Sequence, residues 1–238
     1  PTADAILVVD SDVPWIPSEG KPSPDARVVW IDIDPIKDSI PLFTFPADLR
    51  IHADSAKALP ALVEAVQEQL GAGGKTARLE RTQGIIQQHQ KQRSQWEQAA
   101  LSKATQKPIT PEWVAYSLNR EIDPETVVLD EAVTNTPTVA AYLERTRPGT
   151  MFTSGGSSLG WALGAAMGTK LAAPDRTVVA VVGDGAFMYG CPTSTFWAAD
   201  VHKAPFLTII LNNQQHNAVK RAWLGGYPQG VAKKTANW

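Results

Sequence analysis

The chain has 238 residues, 43% of them apolar and 19% charged, with a formal net charge of -2. That length fits one large or two modest globular domains, and the near-neutral charge without a basic block argues against nucleic acid as a partner. The most apolar helical stretch, Leu159–Ala173, is broken by Lys170 and falls short of the roughly 20 residues that span a bilayer, so no membrane partner is expected either.

Ala5–Val9 (AILVV) predicts a buried strand, followed by a Pro-, Ser- and Asp-rich loop over Asp10–Pro24. Arg27–Ile33 (RVVWIDI) predicts a second strand, stopped by Pro35 after Asp32-Ile33-Asp34. Ala47–Ile51 predicts a short third strand. Asp54–Leu70 predicts a helix capped by Asp54 or Ser55, with Leu59, Leu62, Val63, Val66 and Leu70 on one apolar face. Gly71-Ala72-Gly73-Gly74 reads as a linker. The polar run Ala77–Ala104 predicts a solvated interdomain helix, with Leu79, Ile85, Ile86, Trp96 and Leu101 as sparse anchors. Thr110-Pro111-Glu112 opens another helix with a cap and a first-turn proline. Thr126–Leu129 (TVVL) predicts a strand ending in Asp130-Glu131, and Thr134–Leu143 turns helical. The expected division is a first domain over 1–72, a polar helical linker over 73–107 and a second domain over 108–238.

The second domain begins its most informative part at Met151–Gly168 (MFTSGGSSLGWALGAAMG). Gly155–Ser158 forms a loop able to approach a ligand. Gly160, Gly164 and Gly168 recur every fourth residue and give the helix one small-residue face for close packing. Cys191, the single cysteine, excludes an internal disulfide, fits a reducing, cytoplasmic setting and reads as a small buried hydrophobe.

Two β-branched runs, Thr177–Val182 and Phe206–Leu211, predict strands buried on both faces, with a crossover helix over Thr193–Val201 between them. This is a βαβ unit with parallel strands. The first strand ends in Gly183-Asp184-Gly185 and the second in Asn212-Asn213, so both polar tips fall on the carboxyl edge of one sheet, where open α/β sheets bind ligands. The glycines permit a sharp turn and close approach. Asp184, the Asn213 amide oxygen and a backbone carbonyl beyond it form an oxygen set suited to Mg2+ with a diphosphate completing the shell. A lone Gly-Asp-Gly is common at strand ends; joined to Asn-Asn across a βαβ unit it carries far more weight.

GDG, a spacer and then NN resembles the cofactor signature of thiamine-diphosphate enzymes, in the group that holds acetolactate synthase and benzoylformate decarboxylase. The resemblance covers most of the chain and implies two α/β domains with doubly wound, Rossmann-like parallel sheets, both incomplete, joined by the helical linker. It implies Asp184, Asn213 and the Gln215 carbonyl as Mg2+ ligands. It places Gly183, Gly185 and Ala186 at the cofactor, Glu131 and Thr134 near the diphosphate with Val133 replacing a second hydroxyl, Leu159 as the wedge that bends thiamine diphosphate, and the Ser157 carbonyl as acceptor for its aminopyrimidine. His216 lies near the cofactor, as a proton shuttle or a contact for a substrate carboxylate. The spacer is slightly longer than the family's, with the surplus around Gly190–Thr193.

The implied activity is 2-oxo-acid decarboxylation or carboligation, and TFWAAD with NAVKR leans towards the benzoylformate decarboxylase branch. The first segment resembles part of the family's middle domain, which holds FAD or ADP in some members. No Gly-rich phosphate loop occurs in it, so a bound nucleotide is not expected. The family's activating glutamate belongs to a pyrimidine-binding domain from a second subunit of a homodimer or homotetramer. No glutamate of this chain stands in that context, so the sequence reads as part of a longer subunit. Two alternatives stay open: a non-catalytic cofactor-binding or structural relative, and a generic Mg2+-phosphate enzyme, which predicts more carboxylates at the sheet edge.

Overall fold

The computed structural model of the chain describes residues 3–40, 45–70, 75–156 and 158–236. It forms two compact units, Pro1–Thr82 and Gln83–Trp238. Each is built on its own all-parallel sheet, the α/β class expected; in the first unit the helix follows the three strands, and in the second strands and helices alternate.

In the first unit, β1 (Ala5–Val9), β2 (Arg27–Asp32) and β3 (Leu49–His52) pair in the order β1-β2-β3. Val8, Val28 and the fully buried Trp30 form its core, with Trp15 and Phe45 packed against them. The strand ends are tied by charge. Lys37, nearly buried, lies 2.8 Å from both Asp12, beyond β1, and Asp32, the last residue of β2. Helix α1 (Ser55–Gln69) starts on an Asp54 cap whose Oδ1 accepts from the Ala56 amide at 2.9 Å. Its predicted apolar face is not buried: Leu59, Leu62, Val63, Val66 and Leu70 are all exposed. Periodicity specifies which side of a helix is apolar, not that a partner of comparable area lies against it. The predicted linker at 71–74 lies outside the described residues.

Helix α2 (Lys75–Leu101) is solvated as expected, but its anchors differ. Leu79, Ile85, Ile86 and Leu101 are exposed, while Trp96 and Ala100 pack with Tyr142 and Ala115 in the second unit. Helix α3 (Pro111–Glu121) follows a Thr110 cap.

The second sheet has the order β5-β4-β6-β7: β4 (Val127–Glu131), β5 (Met151–Thr153), β6 (Val178–Gly183) and β7 (Leu207–Leu211), all parallel. A 3-10 turn at Val133–Asn135 leads into α4 (Thr136–Tyr142). The central strands β4 and β6 face both ways, which explains their unbroken apolar runs. Val127, Leu129, Val178, Ala180 and Val182 pack on Ala162, Leu163 and Ala166 of α5 (Trp161–Ala172). The alternate residues Val128, Val179 and Val181 pack on Leu118 and Val139 of α3 and α4.

Four expectations change here. β7, at the edge of the sheet, is not buried on both faces: Leu207 and Ile210 are exposed, since among the described residues no strand covers its outer side. Gly164 and Gly168 do not pack; a Cβ at either would meet nothing within 4 Å. Gly160 is not helical but the left-handed N-cap of α5, with φ +96°. Cys191 is exposed rather than buried, because it caps α7 (Pro192–Val201) in a left-handed conformation between helices. That break explains the long spacer: β6 runs directly into a short helix, α6 (Asp184–Tyr189), and the chain restarts at Pro192. Helices α8 (Asn217–Gly226) and α9 (Val231–Thr235) follow β7.

Candidate functional site

β6 and β7 are direct parallel neighbours, with Gly183 opposite Leu211. Their polar tips therefore emerge side by side. A small cleft of about 70 Å3 opens there, lined by Asp184, Asn213, Gln215 and His216 from these tips, by Val133 and Thr134 beyond β4, and by Leu159. Gly183, Gly185 and Ala186 complete its floor. Most of the residues singled out in the sequence thus meet at one place, from four separate segments.

The loop after β7 is held by its own amides. The Asn212 Oδ1 accepts from the Gln214 amide at 2.9 Å, and the Asn213 Oδ1 from the Gln215 amide at 3.0 Å. The Gln215 carbonyl accepts from the Asn217 amide at 2.9 Å. Each of those oxygens keeps a second lone pair. The Asp184 carboxylate makes no hydrogen bond or ion pair among the described residues. One uncommitted carboxylate and two neutral oxygens are a hard-cation set. No group of three His, Cys, Asp or Glu side chains that could hold a metal occurs among the described residues. The set fits an ion that draws further oxygens from a ligand, such as the phosphates of a diphosphate, rather than an all-protein cage.

His216 ends the loop and caps α8. Its ring lies on Gly185: a Cβ there would stand 3.1 Å from the imidazole Nδ1. A side chain there would crowd the ring by a few tenths of an ångström; no left-handed turn is involved, since neither Gly183 nor Gly185 has a positive φ. Val133 does, at +53°, a rare conformation for a β-branched residue and one that strained sites tolerate. Nothing in the sequence pattern signals it.

Glu131 occupies a different position from the other candidates. It is 5% exposed and does not line the cleft. Its Oε1 accepts from the Gly160 amide at 2.6 Å and its Oε2 from the Ala162 amide at 2.7 Å. Ser157 lies outside the described residues. Beside Glu131, Asp130 is 2% exposed. Burial pushes its carboxyl up, against the Ala132 amide that donates to Oδ1.

A second and larger cleft, about 740 Å3, shares Leu159, Gln215, His216 and Val219 with the first. Tyr189, Lys220 and Trp223 also line it. Its size lies in the range of small-molecule sites. Neither Tyr189 nor Trp223 stands out in the sequence, because both belong to helices whose ends only the fold brings together.

Residues 132–236 match the family described as thiamine pyrophosphate enzyme, C-terminal TPP binding domain. The chain is 32% identical over 122 residues to benzoylformate decarboxylase of Pseudomonas aeruginosa, covering 50% of this chain and 22% of that protein. It is 28% identical over 207 residues to acetolactate synthase isozyme 3 large subunit of Escherichia coli, covering 83% of this chain and 33% of that one. The chain thus spans a third or less of these two relatives. Among solved structures, benzoylformate decarboxylase from Polynucleobacter necessarius superposes with a TM-score of 0.66 at 20% identity, covering 96% of this chain and 40% of that one. A putative thiamin diphosphate-dependent enzyme isolated from Mycobacterium smegmatis gives a TM-score of 0.61 at 21% identity, covering 89% of this chain and 38% of that one. At such identities the superpositions show the fold.

Proposed function

Because the chain is a relative of thiamine-pyrophosphate enzymes, with their C-terminal TPP-binding domain matched over residues 132–236, we propose that its strand-tip cleft binds thiamine diphosphate through Mg2+. The activity served is cleavage or formation of a carbon–carbon bond next to the carbonyl of a 2-oxo acid, as decarboxylation or carboligation. The observation that carries this reading is the meeting of an uncommitted Asp184 carboxylate with Asn213 and Gln215 in one cleft.

Thiamine diphosphate, when bound, supplies a C2 ylid able to stabilise a carbanion. The chain's residues do the rest. Asp184, the Asn213 amide oxygen and the Gln215 carbonyl would hold the ion, leaving it able to take further oxygens from the diphosphate. The Thr134 hydroxyl donates to a phosphate. Leu159 packs on the cofactor, and Gly183, Gly185 and Ala186 let it approach the sheet edge. His216, between the two clefts, contacts the carboxylate of the acid. The larger cleft, walled by Tyr189 and Trp223, takes its side chain. Glu131 has both oxygens on the Gly160 and Ala162 amides; the family resemblance implies that the glutamate activating the cofactor would come from the pyrimidine-binding domain of a second subunit, in a homodimer or homotetramer. We assign cofactor binding to 108–238, an interdomain role to 73–107, a structural role without FAD to 1–72, and a cytoplasmic location. Among the described residues no helix is long and apolar enough to cross a membrane.

Titration calorimetry tests the reading. Thiamine diphosphate should bind with Mg2+ and lose at least about tenfold in affinity, ~1.4 kcal/mol, in Asp184→Ala. Equal affinity of the variant and the wild type sinks the assignment.

A further inference from the structure

Helix α5 begins without a cap of its own. Its N-cap residue is Gly160, which has no side chain to accept from the first amides of the helix. Glu131, the last residue of β4, supplies the missing acceptors from 29 residues away. Both oxygens are used, at 2.6 Å to the Gly160 amide and 2.7 Å to the Ala162 amide. A carboxylate on the positive end of a helix, with charge-assisted bonds shielded from water, is a strong and directional clamp.

Gly160 is held from a second side. A Cβ there would come within 2.6 Å of the Tyr189 carbonyl carbon and oxygen and 2.9 Å of the Gly190 amide nitrogen. Tyr189 ends α6, the helix that starts with Asp184. The Gly160 backbone is thus fixed between the tip of β4 and the end of the metal-donor helix. Leu159, the residue just before it, lines both the strand-tip cleft and the larger cleft.

We infer that Glu131 is a positioning residue: through the Gly160 and Ala162 amides it sets where Leu159 stands in the cleft, while the ion-binding tips are built independently of it. The inference rests on the thiamine-diphosphate reading above. Glu131 serves the part of the ligand that meets Leu159, not the diphosphate held by Asp184, Asn213 and Gln215.

Calorimetry with two probes tests this: thiamine diphosphate and inorganic pyrophosphate, each with Mg2+. The proteins are wild type, Glu131→Gln, Leu159→Ala and the double variant. The amide of Glu131→Gln keeps the shape but turns an N–H donor towards one of the helix amides. It should weaken thiamine diphosphate by about 10- to 100-fold while pyrophosphate stays within about threefold. The double variant should bind no more weakly than the weaker single one, the non-additivity of two residues acting through one contact. Leu159→Ala, at a part-exposed position that the fold tolerates, should show the same split between probes by itself, and it decides the matter if Glu131→Gln does not fold. Equal loss for both probes, or additive losses in the double variant, overturns the inference and leaves the cofactor reading standing. Wild type that binds neither probe overturns both.

Discussion

A methyl group added at Gly160 meets two separate penalties. The residue sits at φ +96°, where an L side chain costs about 1–2 kcal/mol. Its Cβ would also lie 2.6 Å from the Tyr189 carbonyl group and 2.9 Å from the Gly190 nitrogen, all backbone atoms that cannot rotate away. Overpacking of that kind costs about 1–3 kcal/mol, so Gly160→Ala should lose about 2–5 kcal/mol. For a chain of this size that is a fall in Tm of about 4–20 °C. Gly164, one turn into the same helix, is the control. A Cβ there meets nothing within 4 Å, and alanine in a helix interior gains about 0.5–1 kcal/mol over glycine. Thermal and urea unfolding of the two variants, followed by tryptophan fluorescence, should therefore move in opposite directions. Gly160→Ala unfolding like wild type, or both variants shifting alike, refutes the account of how α5 is pinned.

Two further predictions concern buried charge. Burial holds the Asp130 carboxyl above its usual range, with the Glu131 charge adding to the rise against the Ala132 amide. The folded state keeps that proton after the unfolded state has lost it near pH 4, so this contribution is full below ~4 and is lost as pH rises through the raised value. Relative to Asp130→Asn, wild type should lose stability as pH rises above about 4, and parallel curves contradict the reading. At Asp32 burial also pushes upward, but the Lys37 ammonium and the Asp34 amide outweigh it and hold the carboxyl low. That contribution is present above ~4 and disappears as pH falls through the lowered value. Lys37→Met leaves Asp32, 2% exposed, without its cation and should cost about 3–5 kcal/mol in urea unfolding, most of it restored by adding Asp32→Asn. A loss under 1 kcal/mol contradicts it.

The parts of the fold written in contiguous residues were legible in the sequence. β4 and β6 announce themselves as unbroken β-branched runs because helices cover both faces of the sheet. Asp54 and Thr110 cap the helices they precede. The pairing of GDG with NN places two strand tips together, since a βαβ unit makes its strands parallel. What escaped the sequence depends on distant partners. Helix α6 starts on Asp184-Gly185, where a glycine argues for a turn, and the His216 ring packs close against that glycine. β5 has three residues, too few for a period. Glu131 looks like a loop acid because its partners are amides 29 and 31 positions away. The apolar stripe of α1 and the glycines of α5 show the reverse failure: a pattern that suggests packing stands open.

The claim on which the rest depends is that Asp184 and the Asn213–Gln215 turn grip one ion together with a diphosphate. Mn2+ in place of Mg2+ makes that claim visible, because a paramagnetic ion broadens the amide resonances of its neighbours. With thiamine diphosphate present, Mn2+ should broaden residues 183–186 and 213–216 together, at the same titration point and before any other segment. Broadening of only one tip, or first broadening elsewhere, contradicts the shared site.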